Sequence, residues 1–342
     1  LLFAGLGIQS SVAGVPSRQF QQIQQYQMIV SENPSATNQD KAELAEVLKG
    51  QKIQAYQKIY SKTLDKDFKG KAGLQTITLM MTEKEDLTPF IHLQHHQQEL
   101  TLKDGVVITA KFAQLAGVKV GQTLEIEGKE LTVAAITENY VGHFIYMSQT
   151  DYEQIYGQLP QANTYLVSLR DTSATSIERQ AGLLMNQSAV SSVVQNASAI
   201  RLFDSVASSL NQTMTILVIV SVLLAIVILY NLTNINVAER IRELSTIKVL
   251  GFHNNEVTLY IYRETIVLSL VGIVLGLVSG FYLHQFLIQM ISPATILFYP
   301  QVGWEVYVIP VVAVSIILTL LGLFVNHHLR KVDMLEALKS VE

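Results

Sequence analysis

Hydrophobic and polar residues follow two different patterns along the chain and divide it into two parts. From residue 16 to about residue 204, short apolar segments alternate with polar turns, a pattern typical of a soluble domain that mixes helices and strands. Beyond that point, residues 205–238, 265–304 and 306–329 contain no Asp, Glu, Lys or Arg. Each stretch exceeds the roughly 20 apolar residues that a helix needs to cross a bilayer. The second part therefore predicts a membrane domain.

The first part predicts an α+β domain. Its glutamine-rich segment, residues 20–28, has apolar residues on one side and is interpreted as a folded element rather than as low complexity. Residues 40–48 predict a helix with Asp40 as its cap. Strands are expected at residues 74–81, 100–102, 106–109, 123–126 and 131–136, with a short helix at 110–116 that ends at Gly117. Residues 186–209 are expected to form a returning helix or a linker.

The second part predicts three complete spans, near residues 213–234, 266–290 and 306–326. Basic residues lie between the first two spans and after the last one, whereas residues 291–305 contain none. They are Arg240, Arg242, Lys248, Arg263, Arg330, Lys331 and Lys339. Cytoplasmic loops are enriched in Lys and Arg, so the loop at 239–263 and the C-terminus are expected in the cytoplasm. The soluble domain, residues 16–204, is then expected outside the cell membrane.

The chain opens with an apolar run over residues 1–12 that has no charged residue before it. One interpretation is a truncated signal peptide that ends near Ala13. The other is the outer end of a fourth, truncated transmembrane helix, and the membrane domain at the other end of the chain favours it. On that hypothesis the soluble domain is inserted between the first and second of four spans, and residues 205–342 complete the transmembrane domain.

Composition excludes several classes of function. Only 15% of the 342 residues are charged, and a net charge of −4 gives no electrostatic support for a nucleic-acid partner. The absence of cysteine excludes disulfides, thiolate catalysis and Cys-based zinc sites. The sequence also lacks the phosphate-binding loop of an ATPase, the H-E-x-x-H motif of metalloproteases and the G-x-S-x-G motif of hydrolases. Catalysis by this chain is therefore not predicted, and no metal site is assigned.

Histidines form the one pattern that resembles a metal site. His92, His95 and His96 lie close to Glu99, and His92 and His96 would share a face if the segment were helical. A solvated polar face is the interpretation favoured over metal binding, because the surrounding stretch is rich in glutamine.

The loop after the first complete span has the most informative charge pattern. Residues 236–249 predict a helix that continues the span, with i,i+3 pairs of Glu239 with Arg242 and of Arg240 with Glu243. Gly251 is expected to end this helix. Two interpretations stay open at this point: a juxtamembrane helix whose charges only keep it hydrated, or a helix that docks on a cytoplasmic partner.

Glycines mark one face of the next span. Gly272, Gly276 and Gly280 form a G-x-x-x-G-x-x-x-G ladder, and small residues at this spacing let helix backbones approach closely. The alternative is ordinary use of glycine in membrane helices. No charged residue lies inside any predicted span, which argues against a channel or a secondary transporter with a proton or ion relay.

These residues resemble the FtsX/MacB family of ABC transporter permeases. The stretch VAERIRELSTIKVLG at residues 237–251 is similar to the family's cytoplasmic segment after its second span. The glycine ladder resembles the family's third span, and LRKVDMLEAL at residues 329–338 resembles its basic C-terminal ending. Residues 107–124, VITAKFAQLAGVKVGQTL, are similar to the MacB-like extracytoplasmic core. The resemblance runs from about Asp104 to the C-terminus.

The resemblance implies a permease that lacks an ATPase domain and works with a separate ABC ATPase subunit, which binds the ATP. Carried onto this sequence, it implies that a cytoplasmic segment, residues 236–263, couples to that ATPase and contains Glu239, Arg240, Arg242, Glu243, Lys248 and Gly251. It also implies a second permease copy, or an internal repeat of a longer chain that forms a pseudo-dimer. The expected work is export or mechanotransmission across a bacterial cell membrane.

Two other functions stay open. A permease-like protein can transport nothing and instead activate an extracellular partner such as a cell-wall hydrolase. A membrane-anchored sensor is the third possibility, but it would leave the charged cytoplasmic segment without a partner. Substrate choice is expected to depend on the part of the soluble domain before Asp104, which has no recognised resemblance.

Overall fold

A computed structural model describes residues 1–68, 72–83, 87–96, 98–240, 247, 254–298 and 302–331. The chain divides into two compact units. The helical unit comprises Leu1–Val12, Ser208–Ile291 and Pro300–Glu342, and the sheet unit comprises Ala13–Ala207 and Ser292–Tyr299. Most of residues 16–204 belong to the sheet unit and most of residues 205–342 belong to the helical unit, but the short segment Ser292–Tyr299 is part of the sheet unit.

The sheet unit contains both helices and strands. Its helices are α2 (Val15–Ser17), a π-helical segment (Arg18–Ile23), α3 (Asn38–Leu48), α4 (Ala110–Ala116), α5 (Gln149–Tyr156) and α6 (Ala174–Met185). Its strands are β1 (Met28–Glu32), β2 (Ile53–Phe68), β3 (Gly73–Thr82), β4 (Gln94–His95), β5 (Gln98–Glu99), β6 (Val106–Thr109), β7 (Thr123–Ile126), β8 (Lys129–Thr137), β9 (His143–Ser148), β10 (Thr164–Leu169) and β11 (Val190–Gln195).

Nine strands form one mixed sheet in the order β11-β1-β10-β2-β3-β9-β6-β8-β7, and β4 pairs with β5 separately. The pairs β3–β9 and β6–β8 are parallel, and the other pairs of the large sheet are antiparallel. This mixed sheet with helices packed against it confirms the predicted α+β class.

Two hydrophobic clusters lie in the described part of the sheet unit. One packs α3 and α6 on the β1–β10 end of the sheet around Leu44, Val167 and Leu184. The other packs α4 and α5 on the β6–β9 end around Phe112 and Ile145. The clusters belong to opposite ends of one continuous sheet.

Strand β2 joins these two ends. Its residues from Ile53 to Ile59 pair with β10, whereas those from Tyr60 to Phe68 pair with β3. Asn163 lies where the partner changes: its side chain donates to the carbonyl of Ser61 at 3.0 Å and accepts from the Ser61 amide at 2.9 Å. These two bonds continue the backbone ladder across the change of partner.

Several local predictions were wrong in detail. The cap of α3 is Thr37, whose hydroxyl accepts from the Asp40 amide, while the Asp40 carboxylate accepts from the Thr37 amide at 2.8 Å. Asp40 is therefore the third residue of the helix, and this capping box lowers the pKa of its carboxyl group. Residues 100–102 do not form a strand, because the chain turns into β6 through Asp104 and Gly105, which both have positive φ.

The helical unit is built from apolar helices. They are α1 (Leu2–Ala13), α7 (Asn196–Glu239), α8 (Asn254–Ile291) and α9 (Glu305–Lys331), and the part of α7 up to Ala207 belongs to the sheet unit. Within the described residues, Asn196–Glu239, Arg263–Ile291 and Glu305–His327 are long and apolar enough to cross a membrane. The three complete predicted spans fall inside these helices. Helix α7 starts well before the predicted span, directly after β11, so residues 186–209 contain both a strand and the start of a helix.

A buried carboxylate lets us predict an unequal cost for two lysine substitutions. Glu32 is buried, accepts from the Tyr165 hydroxyl at 2.7 Å and pairs with Lys58 at 2.6 Å. Removing Lys58 leaves this carboxylate with Lys41 at 3.8 Å. We expect Lys58→Met to destabilise the protein by about 1–3 kcal/mol, measured as a lower Tm of the full chain in detergent.

Lys49→Met is the matched control for this prediction. Lys49 pairs with Glu46 at 2.8 Å, but both side chains are exposed, and exposed ion pairs contribute little. The control should leave the Tm almost unchanged. Equal losses in the two variants would contradict a special role for the buried Glu32.

Candidate functional site

The charged end of α7 contacts the start of α8. Arg240 donates to the carboxylate of Glu264 at 2.5 Å, and the Asn236 side chain donates to the Thr265 hydroxyl at 3.2 Å. Glu239 is the last helical residue of α7, and its side chain is exposed. The two polar contacts hold the cytoplasmic end predicted for α7 against the neighbouring helix.

The other residues of the predicted coupling segment cannot be placed with this pair. Arg242, Glu243, Lys248 and Gly251 lie outside the described residues. The predicted i,i+3 pair of Arg240 with Glu243 is not tested because Glu243 lies outside the described residues, and within them Arg240 pairs with Glu264. The sequence analysis missed Glu264 because this contact joins two helices. Its only signal in the sequence is that Glu264 is the last charged residue before the charge-free stretch 265–304.

The three glycines of the ladder have different surroundings. A Cβ atom added at Gly280 would lie 2.8 Å from Cβ of Phe3, so α1 and α8 approach each other closely there. A Cβ atom added at Gly272 or Gly276 would meet nothing within 4 Å among the described residues. The Phe3 ring also meets Tyr307 of α9 edge to face, with ring centroids 5.0 Å apart. Phe3 thus packs between α8 and α9.

A polar contact lies on the same pair of helices as the Gly280 packing. His284 is completely buried, and its Nε2 lies 3.0 Å from the Ser11 hydroxyl of α1. A Cβ atom at Gly7 would lie 2.7 Å from the His284 ring, so glycine is the residue that lets this ring approach α1. The sequence analysis gave His284 no role, because its partners belong to a helix more than 270 residues earlier in the chain.

An apolar cavity of about 470 Å³ lies among the four helices of the helical unit. Its lining includes Leu1, Phe3, Ser221, Gly272, Gly276 and Pro310. The two glycines that meet no neighbour therefore border an open apolar space. Their small size enlarges the cavity, whereas Gly280 brings helices together.

The structure does not bring the histidine pattern together as a metal site. Residues 92–96 are not helical, and His96 has a φ of 48°, so the shared helical face proposed for His92 and His96 does not form. The rings of His95 and His96 lie 4.2 Å apart. Over the part of the chain that the structure describes, no group of three His, Asp or Glu side chains is arranged to hold a metal ion.

Comparison with known proteins gives the family of the C-terminal part. Residues 215–333 match the model of the FtsX-like permease C-terminal family. This segment contains most of α7 and all of α8 and α9, and the match confirms the resemblance inferred from its sequence. No curated protein matches the chain significantly.

The solved structures that are similar to this chain include the following two. One is the periplasmic region of MacB from Actinobacillus actinomycetemcomitans, with 11% identity and a TM-score of 0.31 over 53% of this chain and 94% of that one. The other is the extracellular domain of the noncanonic ABC-type transporter YknZ from Gram-positive bacteria, with 15% identity and a TM-score of 0.29 over 49% of this chain and 98% of that one.

The surroundings of the glycines predict opposite outcomes for the same substitution at two positions. Gly280→Ala places a methyl group against the Phe3 Cβ, which cannot rotate away, so α1 and α8 must separate. We expect a loss of about 1–3 kcal/mol, seen as a lower Tm in detergent. Gly276→Ala meets open space and gains helix propensity, so it should leave the Tm unchanged or raise it. The same loss at both positions would contradict this assignment.

Proposed function

We propose that the protein is the permease subunit of an ABC transporter and couples ATP hydrolysis by a separate ATPase subunit to export or to mechanical work outside the membrane. The observation that carries this proposal is the match of residues 215–333 to the FtsX-like permease family. In this proposal the partner ATPase binds the ATP.

The ATPase binds the charged segment that follows α7 in this proposal. The segment comprises Glu239, Arg240, Arg242, Glu243, Lys248 and Gly251. The contact of Arg240 with Glu264 supports a mechanical role, because a force applied near Arg240 acts on α8 as well as on α7. A displacement of the ATPase would then move both helices together.

The same proposal places the sheet unit outside the cell and the C-terminus in the cytoplasm. The distribution of Lys and Arg around the spans supports this orientation. The segment between α8 and α9, Ser292–Tyr299, is part of the sheet unit. This supports a position of that segment and of the sheet unit on the same side of the membrane. The working assembly in the bilayer contains either a second permease copy or an internal repeat of a longer chain.

Charge reversal tests whether Arg240 serves a partner or only α8. We expect affinity purification in mild detergent to recover a stoichiometric ABC ATPase, identified by mass spectrometry. Arg240→Glu together with Arg242→Glu should abolish the coupled ATPase activity and leave membrane insertion intact. Arg179→Glu is the control for charge reversal, because Arg179 is an exposed basic residue of the sheet unit and lies outside the proposed segment.

A charge swap separates the two roles of Arg240. Arg240→Glu with Glu264→Arg restores an ion pair between α7 and α8 but reverses the charge offered to a partner. We expect the swap to recover the Tm and not the coupled ATPase activity. Full recovery of the activity would assign Arg240 to the internal contact alone. Absence of an ATPase from every purification would overturn the proposed function, and recovery of a cell-wall hydrolase with the complex would favour regulation over export.

The orientation can be tested cleanly because the chain has no cysteine. A membrane-impermeant maleimide should label Val120→Cys in intact cells, since Val120 is an exposed residue of the sheet unit. Lys339→Cys should react only after the membrane is permeabilised. The reverse labelling pattern would overturn the proposed orientation.

A further inference from the structure

The short loop that connects β8 to β9 is contacted by two segments that are distant from it in sequence. The loop is residues 139–142, called the joint here, and it connects β8 to β9. Both strands pair with β6, so the joint lies at the end of three adjacent strands. All the contacts described below lie within the sheet unit.

The first contact comes from Gln19 in the π-helical segment, which follows α1 and α2 along the chain. Gln19 is fully buried. Its side-chain oxygen accepts from the amide of Tyr140 at 2.7 Å and from the amide of Val141 at 3.2 Å. Its side-chain nitrogen donates to Asn139 Oδ1 at 2.8 Å. One glutamine therefore makes three hydrogen bonds to the joint.

Asn139, the first residue of the joint, stabilises the backbone conformation of the joint. The residue is 1% exposed. Its side-chain nitrogen donates to the carbonyl of Val141 at 2.7 Å and to that of Gly142 at 3.2 Å. The Asn139 side chain uses its oxygen to accept from Gln19 and its nitrogen to donate to the two carbonyls. The bond from Gln19 therefore also fixes which way the Asn139 amide group is oriented.

The second contact comes from the segment between α8 and α9. Gly142 donates its amide to the Thr295 carbonyl at 2.8 Å, and the Leu297 amide donates to the Tyr140 carbonyl at 2.8 Å. These bonds frame an antiparallel bridge between Val141 and Ile296. The segment is thus attached to the joint as a short added strand.

Side chains extend this attachment beyond the backbone bridge. Lys111 of α4 donates to the Ser292 hydroxyl at 3.2 Å, and Phe298 is buried. Burial lowers the pKa of the Lys111 amine, and burial together with the nearby Lys111 charge lowers that of His143, the first residue of β9. The attachment therefore lies in a partly desolvated environment, where hydrogen bonds are costly to break.

Every backbone polar group from Tyr140 to Gly142 has a partner in these contacts. The three amides donate to Gln19 or Thr295, and the three carbonyls accept from Leu297 or Asn139. Separating either segment from the joint would leave buried peptide groups unpaired, which is unfavourable. We therefore expect the joint, the π-helical segment and the segment between α8 and α9 (Ser292–Tyr299, called the bridge segment here) to stay together when they move.

We propose that residues 139–142 are a mechanical joint, at which movements of α1 and of the α8–α9 connection are combined and transmitted to β8 and β9. This inference rests on the proposed function, because it assumes ATP-driven movement of the membrane helices. Gln19 is the positioning residue of the joint. The bridge segment gives the sheet a connection to α8 and α9 in addition to the covalent connections through α1 and α7.

The first test removes the Gln19 bonds in the complex of the full chain with its ATPase. Hydrogen–deuterium exchange of β8 and β9 is measured with and without ATP. We expect Gln19→Met to keep ATP hydrolysis and to lose the ATP-dependent change in exchange in these strands. Gln22→Met is the matched control, because Gln22 is an exposed residue of the same π-helical segment. An unchanged ATP response in Gln19→Met would overturn the joint.

The second test does not depend on how well Gln19→Met folds. Val141 and Ile296 form a non-hydrogen-bonded pair of an antiparallel bridge, where the Cα atoms lie close enough for a disulfide. We expect Val141→Cys with Ile296→Cys to form a disulfide in this otherwise cysteine-free chain and to keep the full ATP response. Loss of the response on oxidation, with recovery on reduction, would show that the segment must leave the joint and would overturn the proposal.

Different results would overturn the joint and the permease function. A complex that hydrolyses ATP but shows an unaltered response in Gln19→Met overturns the joint and leaves the permease proposal standing. A chain that never associates with an ATPase overturns the permease proposal, and the joint with it.

Discussion

The sheet unit depends on the change of partner along β2. The backbone N–H and C=O groups of a strand must be hydrogen-bonded wherever they are buried. Strand β2 pairs first with β10 and then with β3, so its hydrogen bonds must continue without a gap where the partner strand changes. Asn163 meets that requirement by bonding both polar groups of Ser61 with its side chain. Because Ile53 belongs to one hydrophobic cluster and Leu64 to the other, this single strand holds the two ends of the sheet in one domain.

The elements that were predicted correctly from the sequence are those whose signals are local. Helix α4 ends at Gly117 in the left-handed conformation, and β6, β7 and β8 have compact apolar patterns with turn residues between them. Strand β2 was missed because its buried positions, such as Ile59, Leu64 and Phe68, are not evenly spaced, and polar residues occupy much of the rest. The change of partner destroys the simple period of two on which strand prediction relies.

In the candidate sites, too, only residues with a local sequence signal were predicted. Arg240 and the glycine ladder were found because charge and glycine spacing are visible in one segment of the chain. Glu264, His284 and Gln19 were missed as functional candidates because each acts on a helix or loop far away in sequence. Gln19 was also hidden among several glutamines of similar appearance, and only burial separates it from Gln22. Contacts of this kind require the tertiary structure.

The unequal surroundings of the three glycines have a consequence for sequence variation. At position 280 any side chain would push against the backbone-proximal part of Phe3, so the choice of residue is restricted by a neighbouring helix. At positions 272 and 276 no described neighbour imposes that restriction, and larger residues would fill apolar space. Related proteins can therefore have larger residues at positions 272 and 276 if the other residues that line the cavity are smaller. The glycine at position 280 must be kept wherever Phe3 is kept.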